Sequence, residues 1–330
     1  MPRRRPEAAV PQSDRRGRVA GVVALMLGSA AFAGPAAADA PETPVAPTVS
    51  CSPAKLLMGL PTRTPLLDWS ENLGFDASGA IWVARNFGNV VEKYDNDNRG
   101  QVVTSVPVTS PGAVRLGPDG LMYVTFGNSP ISGAAKQGGV LRFDPNAADP
   151  RPEVFVSGLG QANGAAFDAD GNLYVADSVS NTIERIRRDG TLDADWTDRA
   201  GKALAALGSG TDGIVAVGDL LYVTLLESPT ARVVAVPIAD PAQASPAVDL
   251  AAAPLTSPLL PDDLAVGPGG FLYVATGSGQ LVRADPVTHT SCTLASVEPL
   301  TSVAVSPSDN RLLLLGTENG DVLKAHVPPV

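Results

Sequence analysis

The sequence predicts an all-β fold: a six-bladed β-propeller of four-stranded antiparallel blades, in which an N-terminal strand completes the last blade. Three observations predict it. One hairpin-like phrase occurs six times, successive copies begin 39 to 51 residues apart, and alternating apolar segments follow the copies. A repeat of about 40–50 residues that contains four short strands is typical of propeller blades.

The repeated phrase is clearest in three places: ENLGFDASGAIWVA (71–84), NGAAFDADGNLYVA (163–176) and DDLAVGPGGFLYVA (262–275). Looser copies are GAVRLGPDGLMYVT (112–125), DGIVAVGDLLYVT (212–224) and TSVAVSPSDNRLLLLG (301–316). Most copies combine a short apolar strand, a turn containing Gly, Asp or Ser, and a second apolar strand, which together predict a tight hairpin. A sandwich or an open barrel would not need the same phrase six times, whereas blades around an axis must bury equivalent faces.

Further strands follow each phrase and complete the blades. A third alternating segment comes next, as in NTIERIR (181–187) and GQLVRAD (279–285), and residues such as QVVTSVPV (101–108) can supply a fourth strand. The last copy reaches residue 330 after its third strand, so its fourth strand must come from elsewhere. AKLLMGL (54–60) is the apolar segment left unassigned, and we expect it to close the ring.

The first 40 residues have the layout of an export signal. An arginine-rich segment (1–18) precedes a 15-residue apolar stretch (19–33), and small residues follow it. The stretch is shorter than the roughly 18 residues expected of a spanning helix, although a retained anchor is the alternative interpretation. We interpret 1–40 as the signal, 41–54 as a linker and 55–330 as the propeller. A secreted or extracytoplasmic protein without membrane attachment after signal removal is therefore expected.

Cys51 and Cys292 are the two cysteines of the chain. An even pair in an exported protein predicts a disulfide bond. Cys51 precedes the expected closing strand, and Cys292 begins the outer strand of the fifth blade, next to the blade being completed. The bond would then lock the ring at its seam; two unpaired buried thiols are the alternative.

Charge and composition exclude several classes of protein. The chain has 24 Lys and Arg against 34 Asp and Glu, a net charge of −10 that repels phosphate backbones, so no nucleic-acid partner is expected. Two His and two Cys are too few for a zinc finger or an iron–sulfur cluster. Any metal should be bound by oxygen. Because a closed ring has no long unpaired edge, we also expect a monomer.

The residue that opens each innermost strand of a propeller faces the central channel. Alignment of the six phrases gives these opening residues: Glu71, Gly112, Asn163, Asp212, Asp262 and Thr301. Carboxylates gathered in a small space repel each other, and a divalent cation would relieve that repulsion. Oxygen ligands favour Ca²⁺, with Mg²⁺ or Mn²⁺ also possible. The alternative is structural, since Asp and Asn before Gly are ordinary turn residues.

Other polar residues have simpler interpretations. Arg115, in the inner strand of the second blade, could face the channel and attract an anionic substrate, or its stem could pack in the core. Asp76, Asp119 and Asp168 lie in hairpin turns, which we expect them to cap. The two histidines, His289 and His326, fall on segments away from the predicted opening of the channel.

The phrases ENLGFD (71–76), ANGAAFDADGNLYVAD (162–177) and PDDLAVGPGGFLYVA (261–275) resemble the senescence-marker-protein/gluconolactonase family of six-bladed propellers. The resemblance implies a catalytic divalent ion, usually calcium or zinc, on the axis. Matched phrase by phrase, it implies that Glu71, Asn163, Asp212 and Asp262 hold the ion and that Asp262 also serves as the base.

This sequence departs from the family pattern at two positions. Asp212 stands where the family has Asn, and Asp263 follows Asp262 where the family usually has Gly. The extra charges bear on substrate recognition, and we take Arg115 and Asp263 as candidate substrate-binding residues.

The function that the resemblance implies is an exported metal-dependent hydrolase of the lactonase or esterase type. Its substrate would be a small lactone or ester, attacked by a metal-activated water that Asp262 deprotonates. One alternative is a non-catalytic exported propeller that binds a protein, a glycan or a cell-wall component. A lyase would need a histidine base near the axis, which the positions of the two histidines disfavour.

Overall fold

The structure is a computed structural model that describes residues 50–95, 100–250 and 259–330. The predicted export signal (1–40) and the linker up to residue 49 lie outside the described residues. No helix in the described part of the chain is long and apolar enough to cross a membrane.

Six antiparallel sheets make up the described fold; in five of them the strands follow one another in chain order, and the last sheet also includes β1. The first three sheets consist of β2 (Ser70–Phe75), β3 (Ile81–Arg85), β4 (Val90–Tyr94) and β5 (Val102–Pro107); β6 (Val114–Leu116), β7 (Met122–Phe126), β8 (Gly138–Phe143) and β9 (Glu153–Leu159); and β10 (Ala162–Phe167), β11 (Leu173–Asp177) and β12 (Thr182–Ile186).

The remaining sheets consist of β13 (Thr211–Val217), β14 (Leu220–Leu225), β15 (Arg232–Pro237) and β16 (Ser245–Asp249); β17 (Pro261–Val266), β18 (Leu272–Thr276), β19 (Gln280–Asp285) and β20 (Thr290–Ser296); and β21 (Leu300–Val305), β22 (Leu312–Thr317) and β23 (Val322–His326) with β1 (Lys55–Leu60). The first strands of successive blades contact each other, and β21 contacts β2, so the ring is closed. The predicted six-bladed propeller is confirmed.

The third blade differs from the prediction of four strands in every blade. It has three strands, and the helix α2 (Ala194–Ala205) packs against its outer strand β12. Trp196, Ala200 and Leu204, four residues apart, form the buried face of this helix. The segment therefore follows the helical period rather than the two-residue period of a strand. A short helix α1 (Pro130–Ala134) follows β7, and two 3₁₀ turns span Pro241–Gln243 and Pro268–Gly270.

The N-terminal strand closes the ring as predicted. β1 pairs antiparallel with β23 and becomes the outer strand of the last blade. Cys51 and Cys292 form a disulfide bond with their Cα atoms 5.8 Å apart, which confirms the predicted pairing. The Ala54 N–H donates to the Leu294 carbonyl at 2.9 Å, so the closing segment is joined to the fifth blade by backbone as well.

The core lies between neighbouring blades, where aromatic residues of the repeated phrase are buried. Trp82 of the first blade packs against Phe143 of the second, with ring centroids 5.1 Å apart. Tyr123 of the second blade contacts Phe167 of the third at 5.0 Å. These contacts between blades explain why the same large residue recurs in the second strand of the phrase.

Aspartates in the hairpin turns make more contacts than turn capping alone. Asp76 accepts from the N–H groups of Ser78 and Ala80 at 2.9 and 3.1 Å, and from the Trp82 indole N–H at 3.0 Å. Asp119 and Asp168 cap their turns too, and each also accepts from a tyrosine hydroxyl of the next strand. The predicted caps are confirmed, and these carboxylates additionally satisfy the polar ends of buried aromatic side chains.

The disulfide bond should contribute strongly to stability because it crosslinks residues 241 positions apart in the chain. We expect replacement of both cysteines by serine to lower the free energy of unfolding by about 2–4 kcal/mol. Denaturant melts of the wild type with and without a reductant, beside the double variant, check this. The reduced wild type should match the variant; superimposable oxidised and reduced curves would refute the prediction.

Asp76 should make stability depend on pH in the acid range. Burial alone would raise the pKa of Asp76, but the Lys93 ammonium and hydrogen bonds from Ser78, Trp82 and Ala80 lower it to about 2. Its contribution is therefore present above the unfolded pKa of about 4 and is lost as the pH falls towards 2. Between pH 4 and pH 2 the wild type should lose more stability than Asp76→Asn in urea melts. Asp149→Asn, at a side chain that is 78% exposed, should behave as the wild type does.

Candidate functional site

The opening residues of the inner strands lie at irregularities of strand pairing. The register between the first and second strands shifts at Glu71, Asn163, Asp212, Asp262 and Thr301. A bulge turns a side chain out of the regular alternation and commonly occurs beside functional sites. Because the inner strands all begin at the same end of the ring, these residues lie at one end of the channel, which we call the mouth.

Glycines keep neighbouring inner strands in contact at the mouth. A Cβ atom on Gly164 would overlap the carbonyl oxygen of Asp212, and one on Gly213 would lie 2.6 Å from the Cα atom of Asp263. No larger residue fits at either position without moving a strand. The glycine that follows Asn163 and the one that follows Asp212 therefore allow these polar side chains to stand side by side.

Two side chains orient the carboxylate of Glu71. The Trp69 indole N–H donates to Oε2 at 2.6 Å, and the Asn128 amide donates to Oε1 at 2.5 Å. The same Asn128 amide lies 3.2 Å from Oδ1 of Asn163, and its own oxygen accepts from Gln161 at 2.9 Å. Asn128 therefore links the first blade to the third.

Asn128 was missed by the sequence analysis. It lies in the loop between β7 and α1, outside the repeated phrase, so alignment of the copies could not select it. The signal that could have found it is a polar residue directly after the second strand of a blade, because that strand also ends at the mouth.

The mouth is strongly acidic, and burial dominates its electrostatics. Burial, together with the charge of Asp263, raises the pKa of Glu71 to about 7 despite the hydrogen bonds from Trp69 and Asn128. Burial also raises the pKa of Asp212, with the charges of Glu71 and Asp263 adding to it. For Asp262, burial again raises the pKa, followed by the charges of Asp212 and Glu71. The three predicted carboxylates therefore interact with one another across three blades.

The described residues supply no cationic partner for these carboxylates. Within them, no Lys, Arg or His forms an ion pair with Glu71, Asp212 or Asp262. Asp212 is hydrogen-bonded to Asn163, whereas Asp262 is partly exposed. Because no cationic side chain among the described residues neutralises them, the repulsion among the three carboxylates must be relieved by water, by protonation or by a bound cation.

The donor set fits a hard cation in its chemistry but is not preassembled. Glu71, Asn163, Asp212 and Asp262 offer only oxygen ligands, the type that Ca²⁺ and Mg²⁺ prefer. Among the described residues, however, no group of three or more His, Cys, Asp or Glu side chains is arranged so that it could hold a metal ion. The metal-binding role of these four residues remains a prediction.

Arg115 and Asp263, the candidate substrate-binding residues, are paired with each other. Asp263 is 2% exposed and accepts from the Asn72 amide at 3.1 Å, and the Arg115 guanidinium lies 3.6 Å from its other oxygen. Arg115 also donates to Asn72 Oδ1 at 2.5 Å and to the carbonyl of Ala165 at 2.8 Å. These contacts join four blades one step inside the mouth, and the guanidinium is directed towards protein acceptors. The substrate-binding role of both residues stays a prediction.

A cavity lies beyond this cluster, at the far end of the channel. This cavity of about 440 Å³ is lined by the final residues of all six inner strands and is apolar apart from Arg115.

His289 and His326 belong to turns and strand ends on this side: His289 Nδ1 lies 2.6 Å from the Ala247 carbonyl, and His326 lies 3.9 Å from Asp309. The expectation that no histidine lies at the mouth is confirmed.

Comparison with known proteins supports the fold. No family model matches the chain, and no curated protein matches it. Among solved structures, it is similar to a gluconolactonase from Xanthomonas campestris, with a TM-score of 0.63 and 15% identity over 91% of this chain and 99% of that one.

Two lyases share the same architecture. A streptogramin B lyase matches with a TM-score of 0.55 and 11% identity over 83% of this chain and 98% of that one. Virginiamycin B lyase from Staphylococcus aureus, in complex with quinupristin, matches with a TM-score of 0.52 and 13% identity over 83% of this chain and all of that one. These structural matches show a gluconolactonase-like propeller fold, and at identities this low they show the fold alone.

Asn128→Ala should destabilise the protein by removing donors to Glu71 and Asn163. Because buried acceptors left without donors are costly, we expect the free energy of unfolding to fall by about 1–3 kcal/mol. Urea melts of the variant beside Asn146→Ala, an exposed asparagine, provide the measurement and its control. Equal midpoints for the two variants would show that the network at the mouth carries no stability.

Proposed function

We propose that this protein is a metal-dependent hydrolase of lactones or esters whose reaction takes place at the mouth. The observation that supports the proposal is the interaction among Glu71, Asp212 and Asp262, which share one end of the channel without a cationic partner in the described part of the chain. Carboxylates buried close together are unfavourable because they repel each other and lose hydration. A bound cation would remove that repulsion.

Glu71, Asn163, Asp212 and Asp262 would hold the cation, with Ca²⁺ as the first candidate and Mg²⁺, Mn²⁺ or Zn²⁺ as alternatives. Such a cation supplies a Lewis acid that polarises a carbonyl oxygen and makes water more acidic. Trp69 and Asn128 hold the Glu71 carboxylate in place by donating to both of its oxygens. The network thus fixes one ligand before any substrate arrives.

Asp262 is the proposed general base. Its partly exposed carboxylate is available to a water molecule at the mouth. It removes one proton from the water as the water oxygen bonds to the carbonyl carbon of the substrate. The bond from that carbon to the ring or ester oxygen then breaks, and the proton passes to the departing oxygen. The products are a hydroxy acid from a lactone, or an acid and an alcohol from an ester.

We further propose that the protein works outside the cytoplasm. The Cys51–Cys292 disulfide bond is of the kind that persists in oxidising compartments. This supports the export predicted from the first 40 residues, which lie outside the described part of the chain.

Lyase chemistry is less well supported than hydrolysis. The virginiamycin B lyase similar to this chain is a variant in which replacement of a histidine by alanine left it catalytically inactive. Here His289 and His326 both lie away from the mouth. A histidine base is therefore missing from the place where the acidic residues gather. A non-catalytic binding module remains the second candidate because the donor set is not preassembled.

The test combines metal titration with turnover. After treatment with a chelator, Ca²⁺, Mn²⁺ or Zn²⁺ should raise the melting temperature and restore hydrolysis of a panel of lactones and aryl esters. Asp262→Asn should lower kcat by about 10²–10⁴-fold, the usual contribution of a general base. Asp198→Asn, at a side chain that is 63% exposed, should retain wild-type turnover.

Each other outcome has a definite meaning. Stabilisation by a metal without turnover on any substrate would favour the binding module. Turnover that survives chelation would remove the metal from the proposal, and full activity of Asp262→Asn would remove the base.

A further inference from the structure

Large apolar side chains are exposed around the acidic mouth. Six of them lie at this end, five on loops and Ile131 on α1, with exposed fractions from 37% to 83%: Leu66, Leu67, Phe87, Ile131, Val179 and Leu260. They come from segments that precede an inner strand or follow a second strand, which are the positions that meet at the mouth. We call this set the apolar rim. Single exposed apolar residues are ordinary, whereas several around one polar site indicate a surface that contacts a ligand.

The rim is continuous with the proposed reaction site in the first blade. Phe87 is 53% exposed, and its ring packs edge-on against Trp69 with centroids 5.2 Å apart. Trp69 in turn donates its indole N–H to Glu71 at 2.6 Å. A carbonyl group held beside Glu71 would therefore have this aromatic pair as its neighbour.

The side chains beside this pair that could donate to a polyhydroxylated ring are already engaged. Asn128 and Gln161 already bond to each other and to the site. Arg85, two residues before Phe87, is bound to Glu92 and to the Ser70 hydroxyl. Hydroxyl groups placed against the ring surfaces of Trp69 and Phe87 would lose water without a polar partner on those surfaces, which is unfavourable. A negatively charged substrate would also be repelled by the carboxylates of the mouth.

We propose that the substrates are esters or lactones that carry an apolar alkyl or aryl substituent, and that this substituent lies against Trp69 and Phe87. The inference rests on the hydrolase proposed above and names its substrate class. It makes the aromatic pair the determinant of specificity. Each methylene group buried against the pair should improve binding by about two- to fourfold.

Trp69 offers a direct readout of binding. The chain has three tryptophans, and the other two, Trp82 and Trp196, are at most 1% exposed. Quenching of tryptophan fluorescence by 2-alkylcyclopentanones, carbocyclic analogues of lactones that cannot be hydrolysed, therefore reports on the mouth. From methyl to hexyl, Kd should fall by about two- to fourfold per methylene.

Variants of Phe87 test whether the aromatic pair causes this dependence. Phe87→Ala should flatten the dependence of Kd on chain length, and Phe87→Leu should restore part of it because a large apolar surface returns. Val287→Ala is the matched control, since Val287 is 83% exposed in the turn between β19 and β20 at the far end. It should keep the wild-type slope. Because Phe87 is half exposed, its replacement should leave the fold intact, as circular dichroism can verify.

Turnover separates this inference from the proposed function. The kcat/KM for γ-alkyl-γ-butyrolactones should rise with chain length and exceed that for glucono-δ-lactone. Hydrolysis that is independent of chain length, or that favours glucono-δ-lactone, would overturn the substrate class and leave the hydrolase standing. Chain-length-dependent binding without any hydrolysis would overturn the hydrolase and leave the apolar ligand class. Binding that does not change with chain length in the wild type would refute the inference outright.

Discussion

Closure of the ring is the constraint on which the rest of the structure depends. Each inner strand packs between two others, and the first is held next to the last. β1 leads directly into the first blade but pairs with β23 of the last, so this strand pairing and the Cys51–Cys292 bond to the fifth blade hold the ring closed. Small residues such as Gly164 and Gly213 let the strands approach. If the seam opened, side chains from different blades would separate and the mouth would lose its shape.

The closed ring also forces acidic groups together. Glu71, Asp212 and Asp262 belong to the first, fourth and fifth blades, yet each affects the ionisation of another. Such an arrangement opposes folding, since buried like charges repel and lose hydration. The neighbouring amides of Asn128 and Asn163 reduce the cost through hydrogen bonds. Folding therefore gathers acidic oxygens at a cost in stability, and carboxyl groups with strongly perturbed pKa values are common at functional sites.

The two ends of the channel differ in chemistry. At the mouth, acidic oxygens stand beside an aromatic pair, whereas the far end is a wide apolar cavity. The Asn72–Arg115–Asp263 cluster lies one step inside the mouth and balances a buried carboxylate with a guanidinium. A gluconolactonase and two lyases share this architecture, so the fold alone does not select a reaction.

It was possible to predict from the sequence the number of blades, the closing strand, the cysteine pair and the residues that open the inner strands. These follow from repetition and a two-residue period, which are local properties. The helix that replaces a strand in the third blade also has a local signal, namely the four-residue spacing of Trp196, Ala200 and Leu204. The pairs of side chains that contact each other follow from the folded structure: Asn128 with Glu71, Trp69 with Phe87, and Arg115 with Asp263. Most of these contacts join different blades or loops outside the repeat, and their geometry arises from the bulges and the rotation between blades, neither of which a linear pattern records.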